Sequence, residues 1–398
     1  MALYRIIMAL LAPLLLARAL WRGESRADLG ERLGHGAAPC DLWLHGASLG
    51  ELTSARWLVA ALQADRPGLT VLVTANTLTG RQMVRDWQMP GVTARLAPLD
   101  LRGALRRFLH ASRPKALLSL EAEYWPLRFA ACADREIPVV LLGARMSERS
   151  FRRWQNRSAI AATMLGAVQL ASAQDAASRR HLLQLGLPTH AVQPDLDLKA
   201  QAMAHQPTPV TPDRAARETW LLAASTHQGE EALVLAAFAR QSRFTHLIVA
   251  PRHPDRGAEI ATLLHGTDFA RRSQGAEPGG TRIYLADTLG EMDRWYATCG
   301  AVVIGGSFAP RGGHTPWEPA HFGTAMLHGP DTRNFAAAFA ALDDNLGAIP
   351  VTADTLHAAL VTLDGPSQDR IAAAATAVLQ ADGDIFALLE RIRVISGY

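Results

Sequence analysis

From residue 41 onward, short apolar runs alternate with stretches of helical periodicity, and this repeat constrains the fold more than any other feature of the chain. Residues 42–45, 70–74, 116–120, 139–142 and 168–171 read as buried strands, and the segments 51–63, 80–87, 101–111 and 127–135 between them read as helices. Strand then helix, repeated, builds a parallel sheet covered on both faces. The pattern breaks at 201–213, where Pro207, Pro209 and Pro212 stand among polar residues as they do in linkers. It then resumes, with strand-like runs at 220–224, 246–250, 282–286, 301–304 and 324–327 and helical segments at 230–240, 256–264 and 334–342. A chain of 398 residues, 49% apolar, is too long for one ordinary core. The expected organisation is a hydrophobic segment 1–28, a doubly wound domain 29–205, a linker 206–217 and a second doubly wound domain 218–398.

The formal net charge of +3 is mild, which argues against a nucleic-acid partner. Arg supplies nearly all the basic charge; lysine stands only at Lys115 and Lys199, so a lysine inside a motif is conspicuous. Cys40, Cys132 and Cys299 lie far apart with no CxxC spacing, so neither a disulfide framework nor a zinc site is expected, and a reducing cytosol fits best. Residues 2–21 are strongly apolar but carry Arg5 and Arg18. The apolar stretch 6–17 between them is short for a full span, and snorkelling arginines extend its reach. We read it as an anchor or interfacial helix, with Arg18, Arg22 and Arg26 suited to an anionic membrane surface.

Ligands of open parallel sheets bind beyond the carboxyl ends of the strands, and the motifs of this chain fall in those loops. In HGASLGE (45–51), Glu51 opens a helix: it is either a general base or a partner of the helix dipole beside a capping Ser48. In EAEYWP (121–126), two carboxylates at a strand end are too costly to bury unpaired. One of them either stabilises positive charge in a loosening glycosyl bond or pairs with Arg145. In the second half, Ser225, Thr226 and His227, then Pro251, Arg252 and His253, supply the hydroxyl, cation and imidazole that a phosphate requires. No GxGxxG or Walker lysine motif is present. Gly305, Gly306 and Ser307, then 312–318, combine glycines that let backbone approach a ligand with Glu318, suited to the hydroxyls of a ribose.

Taken in order, these segments resemble the Kdo (3-deoxy-D-manno-octulosonic acid) transferase family of lipopolysaccharide biosynthesis. The resemblance runs from about residue 29 to about residue 360 through GERLG (30–34), HGASLGE, TANTLTG (74–80), EAEYWP, ARMSERSF (144–151), STHQGEE (225–231), PRHPDR (251–256), DTLGE (287–291) and 305–318. It implies a GT-B fold, two Rossmann-like domains facing across a cleft, and transfer of Kdo from CMP-Kdo to a lipid A precursor with inversion. By the same resemblance Glu51 is the catalytic base, and Glu121 and Lys199 stabilise the transition state. The CMP-binding set is Ser225, Pro251, Arg252, Leu289, Gly290, Glu291, Gly306, Ser307, Thr315, Pro316, Trp317 and Glu318. Ser48, Gly50, Glu123 and Arg145 are expected on the acceptor side. No metal and no cofactor are expected, CMP-Kdo being a substrate, and the expected location is the cytoplasmic face of the inner membrane. The chain departs from the family where Thr315 stands for Asn, where Tyr124 and Gly143 stand for Leu and Asn, and where 194–200 (PDLDLKA) replaces a Gly-Asn-Leu-Lys-Phe-Asp run around Lys199. Other readings are a paralogue with a related CMP-activated acid sugar or another acceptor, a catalytically weak nucleotide-binding membrane protein, and a nucleotide-sugar epimerase.

Overall fold

The computed structural model describes residues 1–381 and 385–398. The chain divides into two compact units, Met1–Ala202 together with the C-terminal helix, and Met203–Ala381. The first is built on six parallel strands: β1 (Leu42–Gly46), β2 (Val71–Ala75), β3 (Val92–Leu96), β4 (Ala116–Leu120), β5 (Val139–Ala144) and β6 (Val168–Ala173), in the order β3-β2-β1-β4-β5-β6. The second has seven: β7 (Trp220–Thr226), β8 (His246–Pro251), β9 (Phe269–Arg271), β10 (Ile283–Leu285), β11 (Ala301–Ile304), β12 (Ala325–His328) and β13 (Ala348–Pro350), in the order β13-β12-β11-β7-β8-β10-β9, again all parallel. The expected doubly wound architecture holds in both units.

Every residue of β1, β2, β4 and β5 is buried, as are those of β10, β11 and β12. Helices on both faces keep water from either side, which explains why these strands read as continuous apolar runs. Three strands have no counterpart in the sequence reading: β3, β9 and β13. All three lie at sheet edges, and none is buried throughout. Their polar residues, Thr93 and Arg95 in β3 among them, break the apolar run that would mark an interior strand.

Gly34 shows why the GERLG segment is built as it is. Its φ is +86°, and a Cβ there would meet the Ala104 carbonyl oxygen at 2.1 Å, so only glycine lets the chain pass. Beside it Glu31 accepts from the Leu96 amide at 2.6 Å and from Arg81 at 2.8 Å, while Arg32 donates to Glu24 at 2.7 Å and to the Asn76 carbonyl at 2.8 Å. These bonds dock the short helix Arg26–Arg32 onto the β3 edge.

Two expected boundaries are corrected. The linker does not extend to residue 217: Arg214–Arg217 is a helical turn, and the buried Arg217 donates to the carbonyls of Tyr296, Cys299 and Phe322 at 2.9–3.0 Å, which makes it part of the second unit. Nor does the second domain run to the C-terminus. The helix Ile385–Ser396 returns to the first unit, where Leu388 and Ile392 are buried in one cluster with Leu58, Leu62, Leu69 and Trp87. Its apolar stripe finds cover there.

The N-terminal helix Ala2–Trp21 has no buried residue and a mean hydropathy of 1.8, long and apolar enough to cross a membrane. Leu3, Ile6, Leu10, Leu14 and Trp21 are exposed. It is not detached from the core, however: Met1 and Tyr4 pack partly against the first unit, and the Tyr4 hydroxyl donates to Asp100 Oδ2 at 2.9 Å.

Because Ile392 is fully buried, Ile392→Ala is expected to destabilise the first unit by about 2–5 kcal/mol. Hydrogen-exchange mass spectrometry should show faster exchange in β1 and β2 and unchanged exchange in β7 and β8; equal acceleration in both units would contradict the assignment of this helix.

Candidate active site

The strand order reverses between β1 and β4 in the first sheet and between β7 and β11 in the second. Such switch points open a crevice at the carboxyl ends of the strands. HGASLGE and EAEYWP run out from the ends of β1 and β4, and STHQGEE and the segment 305–318 from those of β7 and β11.

In the first unit, Ser48 caps the helix Leu49–Asp65 by accepting from the Glu51 amide at 3.3 Å. The Glu51 carboxylate turns back to accept from the Ala47 amide at 2.7 Å and from the Ser48 hydroxyl at 3.2 Å. Glu51 therefore does complete the cap. Burial nevertheless pushes its carboxyl up to about 7, with the charges of Glu121 and Glu123 adding to the rise and the two hydrogen bonds opposing it. A carboxyl poised near neutrality suits proton transfer, and completing the cap does not prevent it. Gly50 lies exposed in the first turn, and a Cβ there would meet nothing closer than Ser48 Oγ at 4.0 Å, so packing does not demand glycine.

Glu121 follows β4 with φ +45°, a left-handed conformation that a side chain adopts only when its surroundings hold it. Its amide donates to the Leu142 carbonyl at 3.0 Å, and its own carbonyl accepts from the Arg145 amide at 3.2 Å. Lys199 Nζ stands 3.6 Å from Glu121 Oε1. Burial raises the Glu121 carboxyl, Asp197 adds to this, and Lys199 and Arg145 oppose it. The altered segment 194–200 thus still delivers its lysine: Asp197 caps the helix Leu198–Ala204 through the Lys199 amide at 2.9 Å, in place of the family's run. Gly143, where the family has Asn, sits at φ +58°, a conformation that Gly and Asn share.

Glu123, expected on the acceptor side, is instead an internal brace. Its Oε2 accepts from Trp125 Nε1 at 2.7 Å, His45 Nε2 at 2.8 Å and Asn76 Nδ2 at 3.1 Å, joining the ends of β1, β2 and β4. Burial works against its ionisation, but these donors hold the carboxyl down to about 2. His45 itself is pushed down to about 4 by burial and by Arg128, so the pair is a neutral imidazole donating to a carboxylate. Arg128, which the sequence reading does not single out, is buried with its guanidinium 5.3 Å from both the Trp43 and the Trp125 ring centres.

In the second unit, Ser225, the residue before the last of β7, has φ +53°, and Gly305 after β11 passes so close that a Cβ would meet the Ser225 carbonyl oxygen at 2.4 Å. Glu230, also absent from the expected site residues, fixes this crossing. One carboxylate oxygen accepts from the amides of Gly306 at 2.7 Å and His227 at 2.9 Å, the other from Phe308 at 2.9 Å and Ala309 at 3.3 Å. A charged first-turn residue on the apolar helix Glu230–Ala239 was the available signal for it. Above it, His227 Nε2 and His314 Nε2 lie 3.0 Å apart over Gly306, where a Cβ would come within 3.4 Å of both rings.

Pro251 closes β8, and Arg252 extends into solvent with its amide on the Thr226 carbonyl at 3.0 Å. Leu289 and Gly290 are exposed on the loop after β10, and the Glu291 carboxylate is gripped by Arg272 at 2.8 Å and by Thr288. Ser307 is not a surface donor: buried, it gives its hydroxyl to the Ile304 carbonyl at 2.5 Å and accepts from the Gly329 amide at 2.7 Å. Thr315 accepts from the Trp317 amide at 3.3 Å, Pro316 precedes the short helix Trp317–His321, and Trp317 itself is buried. Burial raises the Glu318 carboxyl and Asp293 adds to it, against a hydrogen bond with Tyr296 and the charge of Arg252. Among the described residues no group of three or more His, Cys, Asp or Glu is placed to hold a metal ion.

Comparison with known proteins fits this geometry. Residues 27–202 match the family model described as 3-deoxy-D-manno-octulosonic-acid transferase (kdotransferase). The 3-deoxy-D-manno-octulosonic acid transferase of Haemophilus influenzae is 33% identical over 87% of this chain and 85% of its own length. That of Bordetella pertussis is 34% identical over 75% of this chain and 73% of its own. The UDP-GlcNAc 2-epimerase of Neisseria meningitidis shares the fold, with a TM-score of 0.59 over 88% of this chain and 99% of its own, but at 13% identity the likeness is one of architecture alone. A glycosyltransferase relationship that spans both units, on a pair of parallel α/β sheets of the GT-B class, places this chain in the Kdo transferase family.

Proposed function

We propose that the chain transfers Kdo from CMP-Kdo to a lipid A precursor, with inversion, at the cytoplasmic face of the inner membrane. The observation that carries this reading is Glu51, a carboxyl held near neutrality by burial at the switch point of the first sheet. Ionised, it accepts the proton of an acceptor hydroxyl while that oxygen bonds to the anomeric carbon of the sugar. The bond from that carbon to the phosphate breaks, and CMP leaves with the electron pair. One displacement from the opposite face inverts the centre, and the positive charge that builds on the sugar is met by the Glu121 carboxylate, which Lys199 orients. On the second unit, Arg252 takes the donor phosphate and Glu318 the ribose hydroxyls. The reaction calls for no cofactor, because the activated sugar supplies its own leaving group. The exposed apolar helix Ala2–Trp21 supports placement at a membrane, where a lipid acceptor resides.

Glu51→Gln keeps the cap's hydrogen-bonding capacity and removes the base. Turnover should fall roughly a hundredfold to ten-thousandfold, with CMP affinity unchanged. In the unaltered enzyme the rate should rise with pH through about 7 as Glu51 ionises, and the variant's residual rate should lack that step. Wild-type turnover in the variant would reduce Glu51 to a cap.

Arg252→Ala and Glu318→Ala should each weaken CMP binding by about 1.5–3 kcal/mol, the worth of hydrogen bonds to charged groups. Titration calorimetry with CMP checks this, and unchanged affinity in both would defeat the donor assignment.

Deleting residues 1–22 should move the protein from the membrane pellet to the supernatant, with a modest fall in thermal stability from loss of the Tyr4–Asp100 bond. Retention in the pellet would assign membrane attachment to another surface.

A further inference from the structure

The switch point of the second sheet holds a pair of imidazoles in unusual contact. His227, from the loop after β7, and His314, from the loop after β11, bring their Nε2 atoms to 3.0 Å with the ring planes 3° apart. Both are half-buried. A nitrogen–nitrogen contact this short holds one hydrogen: one ring donates and the other accepts. The pair can take up one further proton, at an outer Nδ1, without losing the contact. A second hydrogen on the line between the rings would set two N–H groups against each other.

The surroundings oppose that further proton in the free protein. From the loop after β8, Arg252 and His253 face the pair, and from the loop after β11, Arg311 does. His253 meets the His227 ring edge-on at 5.9 Å between ring centres. The carboxylate that faces His227 most strongly among the described residues is Glu230, on the helix Glu230–Ala239, and its two oxygens already serve four backbone amides. Arg252 and Arg311 have no ion-pair partner among the described residues. Burial pushes both imidazoles down, His314 to about 4, with the neighbouring rings and guanidinium charge adding to it, so near neutrality both rings are uncharged.

We propose that the His227–His314 pair is a proton-coupled seat for the donor's phosphodiester, gaining one shared proton as the anion binds. The inference rests on the reading of the second unit as the nucleotide site. An anion beside Arg252 and Arg311 cancels the charge that keeps the pair neutral, and the imidazolium that forms adds a charge-assisted hydrogen bond to it. The proton comes from solvent and returns when the nucleotide leaves. Gly306 is required beneath the pair because a Cβ would press on both rings.

Linkage gives the sign. A site whose protonation is easier in the complex binds more tightly at low pH, and affinity is lost as pH rises through the pair's value in the complex. The probe is cytidine 5′-(methyl phosphate), a diester, because the monoester CMP itself titrates at about 6 and would mask the effect. Calorimetry on the full chain in detergent, in two buffers of different ionisation enthalpy at neutral pH, should show uptake of roughly half to one proton on binding, and affinity should fall about tenfold between pH 6 and pH 8. His314→Gln, which keeps a hydrogen-bonding side chain but cannot titrate, should bind more weakly with no proton uptake and a flat pH profile, and His227→Gln should do the same if the first variant fails to fold. His253→Gln should retain the uptake. Diester binding to the unaltered protein with no proton exchange, or uptake that persists in His314→Gln, would overturn the proposal while leaving the nucleotide site intact. Failure of the diester to bind the unaltered protein would remove the nucleotide site and the proposal together.

Discussion

A parallel sheet sends all its connections out along the same two edges, and at the carboxyl edge the chain must reverse direction with its amides and carbonyls only half satisfied. In each unit a buried carboxylate resolves this where the strand order reverses. Glu123 gathers donors from the ends of β1, β2 and β4 onto one oxygen, and Glu230 takes four amides from the loops after β7 and β11. An ionised carboxylate is expensive to bury, and hydrogen bonds from several donors offset that cost. What results is a rigid floor under each crevice, with the functional side chains standing on backbone that has no freedom to relax. Glu121 and Ser225 hold positive φ on that floor, and Gly305 and Gly306 approach as closely as a missing Cβ permits.

The floors also divide the motif residues into those that build the site and those that face outward from it. Glu123, Ser307 and Glu291 are spent on internal hydrogen bonds. Glu121 and Lys199 stand beside each other at the first crevice, and Arg252 extends into solvent at the second. Glu51 belongs to both groups, since the bonds that close its helix also fix where its carboxyl stands, and burial sets its proton affinity. A hydrogen bond that completes a cap is therefore no argument against a proton-transfer role for a first-turn acid at a switch point.

Interior strands were legible in the sequence because burial on both faces requires an unbroken apolar run, and β1, β4, β11 and β12 show one. Edge strands carry no such requirement, which is why β3, β9 and β13 were not. The motifs did not reveal which carboxylate in EAEYWP turns inward, since that depends on His45, Asn76 and Trp125 meeting from the ends of three separate strands. Arg128 and Glu230 escaped for the same reason: an isolated charge in a helix looks solvated until its distant partners are placed. The helix Ile385–Ser396 was assigned to its sequence neighbours, whereas its apolar stripe matches a surface made far earlier in chain order, at Leu58, Leu62, Leu69 and Trp87.

That return of the terminal helix makes the second unit an insertion within the first. During synthesis the ribosome completes all of the second sheet before it makes the helix that buries Leu388 and Ile392. Until that helix is made, the surface of the first unit that it buries has no cover. A chain truncated just before Leu388 therefore leaves that surface open to chaperones and proteases, although every strand of both sheets described above is already present.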